Sequence, residues 1–216
     1  MPIANLDELI NRIEDPRRFS KTERDEARQT LLAHPSEVLP ALHERVRLWL
    51  HEFNTPEVRG LDARCQAAAQ ELAAMLGSPN HPGYLALYSQ MECIKMRNAL
   101  DIREAGAIAV IDLICAIGHP DSVAVLKEII HGPWRDEMTW YTAAAGLVKM
   151  GDPEGGAYMR ERILDPATRP GMRKAACRKL VELGVKDLFD PNDVIPGDPA
   201  FTAELEQEFV SRLRRV

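Results

Sequence analysis

The chain has 216 residues, 45% of them hydrophobic and 28% charged, and carries a formal net charge of −6 at pH 7. This length is sufficient for one sizeable core or one continuous array of packed helices. No apolar run approaches the roughly 20 residues that a membrane span needs, and an acidic chain lacks the basic surplus that grips a nucleic-acid backbone. We therefore expect neither a membrane nor a nucleic acid as the partner.

Apolar residues recur at i, i+3, i+4 and i+7 along most of the chain, which predicts amphipathic helices and an all-α fold. In chain order the predicted helices are 5–14, 21–33, 36–53, 57–76, 82–99, 101–117, 121–131, 136–150, 154–164, 171–183 and 200–214. The segment 185–199 is rich in Asp and Pro and predicts an extended connection to a capping helix. These features divide the chain into a helical-repeat domain over 1–184 and a C-terminal part over 185–216.

The N-terminus and the cysteines indicate an intracellular protein. The first residues, MPIANLDELINRIEDPRR, lack a basic start followed by an apolar run, so we expect no secretory signal and a cytoplasmic location. Cys65, Cys93, Cys115 and Cys177 stand in apolar helical patterns without metal-knuckle or redox spacing. We expect all four to be buried, reduced thiols.

Four glycines punctuate the helices and predict an internal repeat. They are Gly77, Gly118, Gly151 and Gly184, at intervals of 41, 33 and 33 residues. Small or apolar residues stand four and eight positions before each glycine: Ala73, Ile114, Leu147 and Leu180, and Ala69, Val110, Ala143 and Ala176. Because these offsets lie on one helical face, we expect that face to be buried against neighbouring helices.

The stretch KMGDPEG, residues 149–155, could grip a phosphate, supply a catalytic Asp or connect two helices. Gly151 suits a left-handed helix C-cap, Asp152 an N-cap and Pro153 the first turn of a helix. The stretch does not match a phosphate-cradling loop motif. It therefore predicts the tight turn of a helical hairpin.

Two stretches, TWYTAAAGLVKMGDPEG (139–155) and MRKAACRKLVELG (172–184), resemble HEAT repeats of the short kind found in phycobilisome-lyase-like proteins. The resemblance is best over residues 100–184. Arg173 stands where the family has an arginine, whereas Trp140 replaces that arginine in the preceding repeat. The resemblance implies a right-handed α-solenoid of about five helical hairpins. In the family this arginine typically bonds a loop Asp and ties adjacent repeats together, which is the alternative to a binding role for Arg173.

Aromatic residues make up only 6% of the chain, so their cluster in HGPWRDEMTWY, residues 131–141, is informative. The resemblance implies that the second helix of each hairpin lines a concave face, where Glu137 and Trp140 of one repeat would be followed by Arg173 and Cys177 of the next. Trp140 would either anchor a partner's side chain or pack against the neighbouring hairpin. The candidate binding residues are Trp134, Glu137, Trp140, Tyr141, Arg173 and Cys177.

Motifs for chemistry are absent from the sequence. Its six histidines form no His-x-x-x-His pair, and neither a P-loop nor a Gly-x-Ser-x-Gly elbow occurs. We therefore expect no catalytic residue, metal or cofactor, and the leading interpretation is a non-enzymatic scaffold or adaptor that binds a protein on its concave face. One alternative is a HEAT-like enzyme of the phycobilin-lyase or alkylpurine DNA glycosylase type, with Asp136 as its carboxylate. Another is a toxin-neutralising or purely structural subunit.

Charge is segregated late in the chain. Residues 168–186 carry a net charge of +5 and residues 187–208 a net charge of −7. The acidic segment would either neutralise the basic helix or cover a site meant for an acidic partner.

Overall fold

The structure is a computed structural model that describes residue 3, residues 5–76, 83–134 and 136–185, and the single residues 203 and 207. Within this part of the chain it contains ten α-helices and no strand, which confirms the all-α prediction. The helices are α1 (Leu6–Glu14), α2 (Lys21–Leu32), α3 (Pro35–Phe53), α4 (Pro56–Arg59), α5 (Leu61–Leu76), α6 (Gly83–Ile117), α7 (Ser122–Ile130), α8 (Glu137–Lys149), α9 (Pro153–Leu164) and α10 (Pro170–Glu182). None of them combines the length and hydropathy that a membrane span requires.

One long helix replaces two predicted ones. α6 runs for 35 residues without a break, whereas the sequence pattern predicted separate helices over 82–99 and 101–117. Neither Gly nor Pro stands near residue 100, so the residues there continue the helix instead of ending it. Conversely, the predicted helix over 57–76 is divided at Gly60, which caps α4. The predicted helix over 200–214 and the acidic segment lie outside the described residues, apart from residues 203 and 207.

Most helices pack into two adjoining layers. α6, α8 and α10 are neighbours in one layer, and α3, α7 and α9 are neighbours in the other. α1 and α2 pack against the C-terminal half of α6 as well as against each other. Fully buried side chains such as Ile111, Leu126 and Leu147 join the layers in one core. We call these helices, with α6 represented by residues 100–117, the body.

The remaining helical hairpin projects from the body. α5 makes its main contacts with α6, and every side chain from Ile94 to Ala99 is exposed. We call this hairpin, residues 61–76 and 83–99, the arm. Its position explains why α3 and not α5 occupies the layer beside α7: the chain leaves the body after α3, forms the arm and returns along α6.

The predicted buried face exists in the body but not in the arm. Six side chains at the offsets four and eight before the last three glycines are completely buried: Val110, Ile114, Ala143, Leu147, Ala176 and Leu180. At the same offsets before Gly77, Ala69 and Ala73 are exposed, so the prediction is wrong there. The reason is that these alanines lie on α5, which has no second layer to pack against.

The Gly-Asp-Pro turn is a helix connection, as predicted. Gly118, Gly151 and Gly184 have φ angles of 67°, 78° and 73°, in the left-handed region that suits a C-cap. The Asp152 carboxylate accepts a hydrogen bond from the N–H of Glu154 at 3.0 Å, and Pro153 is the first residue of α9. Asp152 therefore caps a helix. Gly77 lies outside the described residues.

Lys127 on α7 forms ion pairs with two acidic residues at the start of α9. Its ammonium group lies 3.0 Å from the Asp152 carboxylate and 2.9 Å from that of Glu154. The Nε2 atom of His131 lies 3.0 Å from Glu154 as well. These contacts hold α7 and α9 together, and Lys127 lowers the pKa of both carboxyl groups.

Candidate functional site

Three of the six candidate binding residues line one open cavity, with a volume of about 200 Å³. They are Trp134, Glu137 and Trp140. The other described residues that line the cavity are Gly132, Tyr158, Arg162, Asp165, Ala167 and Thr168. The cavity lies between the start of α8 and α9 with the loop that follows it, where two successive hairpins meet. We call it the α8–α9 cavity.

Two aromatic side chains form the inner wall of the α8–α9 cavity. Trp140 is 7% exposed, and its ring centre lies 5.8 Å from that of Tyr158 in an edge-on arrangement. The sequence left open whether the Trp140 side chain projects toward a partner or packs against the neighbouring hairpin, and its burial shows that it packs. Only the edge of Trp140 that lines the cavity is accessible to an incoming group. Burial also raises the pKa of the Tyr158 hydroxyl, which stays protonated at neutral pH.

Trp134 forms a second, half-buried aromatic wall. Its indole N–H donates a hydrogen bond to the carbonyl of Ile129 at 2.8 Å, at the C-terminal end of α7. Its ring centre lies 5.2 Å from that of Phe53. A Cβ on Gly132 would lie 2.5 Å from the indole nitrogen and 2.6 Å from a methyl group of Leu50, so a larger residue there would displace these side chains.

Charged groups occupy the rim of the α8–α9 cavity. The guanidinium of Arg162 lies 4.9 Å from the centre of the Tyr158 ring and 3.3 Å from the Asp165 carboxylate. The Nε atom of Arg162 is buried without a hydrogen-bond acceptor in the described part of the chain. Glu137 accepts a hydrogen bond from the backbone N–H of Arg169 at 3.0 Å and also pairs with its guanidinium. The two carboxylates at the rim, Glu137 and Asp165, are thus already paired with the guanidinium groups of Arg169 and Arg162.

The other three candidate residues do not line the α8–α9 cavity. Arg173 is 3% exposed, and its Nε donates a hydrogen bond to the carbonyl of Ile163 at 2.7 Å, which joins α10 to α9. Cys177 is 4% exposed in the same helix. Tyr141 is half-buried, and burial raises the pKa of its hydroxyl. Arg173 therefore joins α10 to α9 through a backbone carbonyl and is too buried to face a partner.

A buried carboxylate that the sequence pattern did not single out supports the start of α8. Glu104 on α6 is 2% exposed and accepts a hydrogen bond from the backbone N–H of Asp136 at 2.6 Å. Asp136 in turn accepts a hydrogen bond from the N–H of Met138 at 2.9 Å and caps α8. The only signal for Glu104 in the sequence is an acid at the edge of an apolar helical run.

The described residues that line the α8–α9 cavity include no Cys, Ser or His. The groups there of a type that can act as a nucleophile or base are the ion-paired carboxylates of Glu137 and Asp165 and the buried Thr168. Across the described residues, no group of three or more His, Cys, Asp and Glu side chains is placed to hold a metal ion. Comparison of the chain with protein-family models, curated proteins and solved structures found no match. The geometry of the cavity and of the helix layers is therefore the basis for assigning a function.

Proposed function

We propose that the chain is a non-enzymatic protein-binding scaffold of HEAT-like hairpins, and that the α8–α9 cavity receives one side chain of its partner. The hairpins α7/α8 and α9/α10 place equivalent helices side by side in two layers, an arrangement typical of stacked helical repeats. A right-handed solenoid with the cavity on its binding surface is part of this proposal. Adaptor, assembly factor and toxin-neutralising partner are forms of the same binding mode.

The observation that carries the proposal is an open, aromatic-walled cavity of limited size. Small-molecule and cofactor sites usually have volumes of roughly 300–1,000 Å³, and the α8–α9 cavity has about 200 Å³. Aromatic walls with a polar rim are typical of pockets that hold the anchor residue of a partner. The size and the lining therefore favour a single inserted side chain over a cofactor or a nucleotide.

The experiment fills the cavity without changing the core. Ala167 is exposed and lines the cavity, so Ala167→Trp places a large ring at its mouth. Ala124 on α7 is also exposed and lies outside the cavity, so Ala124→Trp is the matched control. We expect the tagged chain and the control to co-purify one stoichiometric protein from the native cell lysate, identified by mass spectrometry, and Ala167→Trp to lose it.

Circular dichroism must first show equal helicity for the three chains. Retention of the partner by Ala167→Trp at the level of the control would contradict a role for the cavity. Bound nucleic acid or pigment in place of a protein would overturn the scaffold proposal and favour the enzyme alternatives.

A further inference from the structure

A small basic cavity lies where α1, α2 and α6 meet, and it has a volume of about 240 Å³. The described residues that line it are Ile13, Lys21, Arg24, Asp25, Arg28 and Ala109. Three cations thus share the lining with one carboxylate, although the whole chain has a formal net charge of −6. None of these residues lines the α8–α9 cavity. We call this site the α2 cavity.

The spacing of charged residues along α2 concentrates positive charge at the α2 cavity. Lys21, Arg24 and Arg28 follow one another at intervals of three and four residues, so they lie on one flank of the helix. The Glu23 carboxylate lies on another flank and accepts hydrogen bonds from the backbone N–H and the hydroxyl of Ser20, at 2.8 and 2.7 Å. It is therefore engaged at the N-cap and does not line the cavity.

One of the three cations already has a carboxylate partner. The Arg28 guanidinium lies 2.8 Å from the Asp112 carboxylate of α6. Within the described residues, neither Lys21 nor Arg24 forms an ion pair, and the Nε atom of Arg24 is buried without a hydrogen-bond acceptor. Buried donors are normally hydrogen-bonded, so the Arg24 side chain favours a ligand that brings an acceptor.

The walls of the α2 cavity strengthen its attraction for an anion. Ile13 on α1 is buried and Ala109 on α6 is half-buried, so apolar groups back the charges on one side. Charges beside low-dielectric walls interact more strongly than charges in open water. A guanidinium presents a planar fork that can donate two hydrogen bonds to one oxyanion, and an ammonium group adds further donors. Two arginines and a lysine therefore suit an oxyanion.

We propose that the α2 cavity binds a phosphate group through Lys21, Arg24 and Arg28. A phosphate monoester carries about −1.5 to −2 charges at neutral pH, whereas a carboxylate carries one. The lining has a surplus of positive charge that Asp112, outside the lining, offsets only in part. Clusters of arginines commonly recognise phosphorylated side chains. Because Arg28 has five N–H donors, it can contact Asp112 and a phosphate together.

The size of the α2 cavity limits what else the ligand can place there. Small-molecule and cofactor sites usually have volumes of roughly 300–1,000 Å³, and this cavity has about 240 Å³. It therefore suits one phosphate group with the few atoms next to it, and not a whole nucleotide. The phosphate comes either from a phosphorylated side chain of another protein or from the free ion, and the chemistry of recognition is the same for both.

The test titrates the full chain with inorganic phosphate at constant ionic strength, followed by the ³¹P NMR signal. We expect saturable binding that Arg24→Gln weakens by about tenfold or more, the loss that a charge-assisted hydrogen bond implies. Lys21 is exposed, so Lys21→Gln should weaken binding without any effect on folding. Arg17→Gln removes an exposed cation that does not line the cavity and should bind as the wild type does.

Two outcomes would overturn the proposal once circular dichroism shows equal helicity for all variants. One is the absence of saturable binding by the wild type, and the other is binding by both cavity variants that equals that of the Arg17→Gln control. Acetate at equal concentration should displace little phosphate, and equal competition by acetate would contradict the preference for phosphate.

A further arm of the same experiment identifies the source of the phosphate. Tighter binding of a Gly-phosphoserine-Gly peptide than of inorganic phosphate would support a phosphorylated protein as the ligand, whereas tighter binding of inorganic phosphate would support the free ion. The α2 cavity does not depend on the proposed binding of a partner at the α8–α9 cavity. Ala167→Trp should therefore bind phosphate as the wild type does.

Discussion

At the scale of single residues, two adjacent glycines in α9 occupy opposite surroundings. A Cβ on Gly155 would lie 2.6 Å from the carbonyl oxygen of Ala144 and 2.6 Å from the Cβ of Leu147. A Cβ on Gly156 would meet nothing within 4 Å. Gly155 is therefore the point where α9 approaches the backbone of α8, whereas Gly156 is a glycine without a steric role.

We expect Gly155→Ala to destabilise the fold by about 1–3 kcal/mol, because a backbone oxygen cannot move aside and the helices must separate. Gly156→Ala should stabilise it by about 0.5–1 kcal/mol, because alanine loses less conformational entropy in a helix than glycine does. Urea unfolding followed by circular dichroism measures both values. Effects of equal sign and size would show that α8 and α9 do not approach as closely as described.

The sequence predicted the residues that end helices better than the residues that lie between them. Gly118 and Gly151 were identifiable because a left-handed C-cap almost requires glycine. The burial of Trp140 could not be predicted, because α8 lies between neighbours on several sides and its residues from Ala143 to Leu147 are all buried. Periodicity identifies a buried face only where another face of the helix meets water. For the same reason, nothing in the local pattern distinguished Gly155 from Gly156.

At the scale of helices, Lys127 is the main ionic connection between α7 and α9. The hydrogen bonds of its side chain raise its pKa above the ordinary 10.5, and they lower the pKa of Asp152 below 3.8 and that of Glu154 below 4.5. Both carboxylates thus contribute stability that is fully present above their unfolded values and is lost as the pH falls through their folded values.

We expect Lys127→Met to lower the melting temperature at neutral pH and to differ less from the wild type as the pH falls below about 4, since the carboxylates become neutral in both chains. Lys149→Met, at an exposed position of α8, is the control and should have little effect at either pH. Differential scanning calorimetry over pH 3–8 provides the comparison. A deficit that persists unchanged in acid would show that Lys127 acts through packing.

At this scale the prediction failed where glycine and proline were missing. Helix ends at Gly118 and Gly151 were placed within a few residues of those observed, whereas the boundary predicted near residue 100 does not exist. An aspartate at position 101 is compatible with a helix start and also with an exposed site in a helix interior. Which of the two occurs depends on whether the chain reverses direction near residue 100. Tertiary contacts decide that, and the local sequence does not encode them.

At the scale of the whole molecule, the cysteines divide between the arm and the body. Cys65 and Cys93 on the arm are half-buried, so the prediction that all four thiols are buried is wrong for these two. Cys115 and Cys177 in the body are buried. Burial raises the pKa of the Cys115 thiol to about 12, which removes its reactive thiolate form at neutral pH.

We expect the native chain to react with a thiol reagent such as DTNB at Cys65 and Cys93 only, and at all four cysteines in denaturant. The reason is that the body thiols become accessible only on global unfolding, whereas the arm opens locally. Cys65→Ser and Cys93→Ser variants assign the fast phase, read by absorbance. If the native chain released four equivalents of the coloured thiolate in the fast phase, Cys115 and Cys177 would be accessible to the reagent, which would contradict their burial in the body.

α6 belongs to both the arm and the body, and it is a single continuous helix about 52 Å long, at 1.5 Å per residue. Its 35 residues include no proline, the usual cause of a sharp helix kink. Near its inner third, Glu104 holds the backbone of Asp136 at the start of α8, one residue before Glu137 on the cavity rim. A change in the tilt of α6 would therefore act on the start of α8, because the Glu104–Asp136 hydrogen bond joins the two helices there.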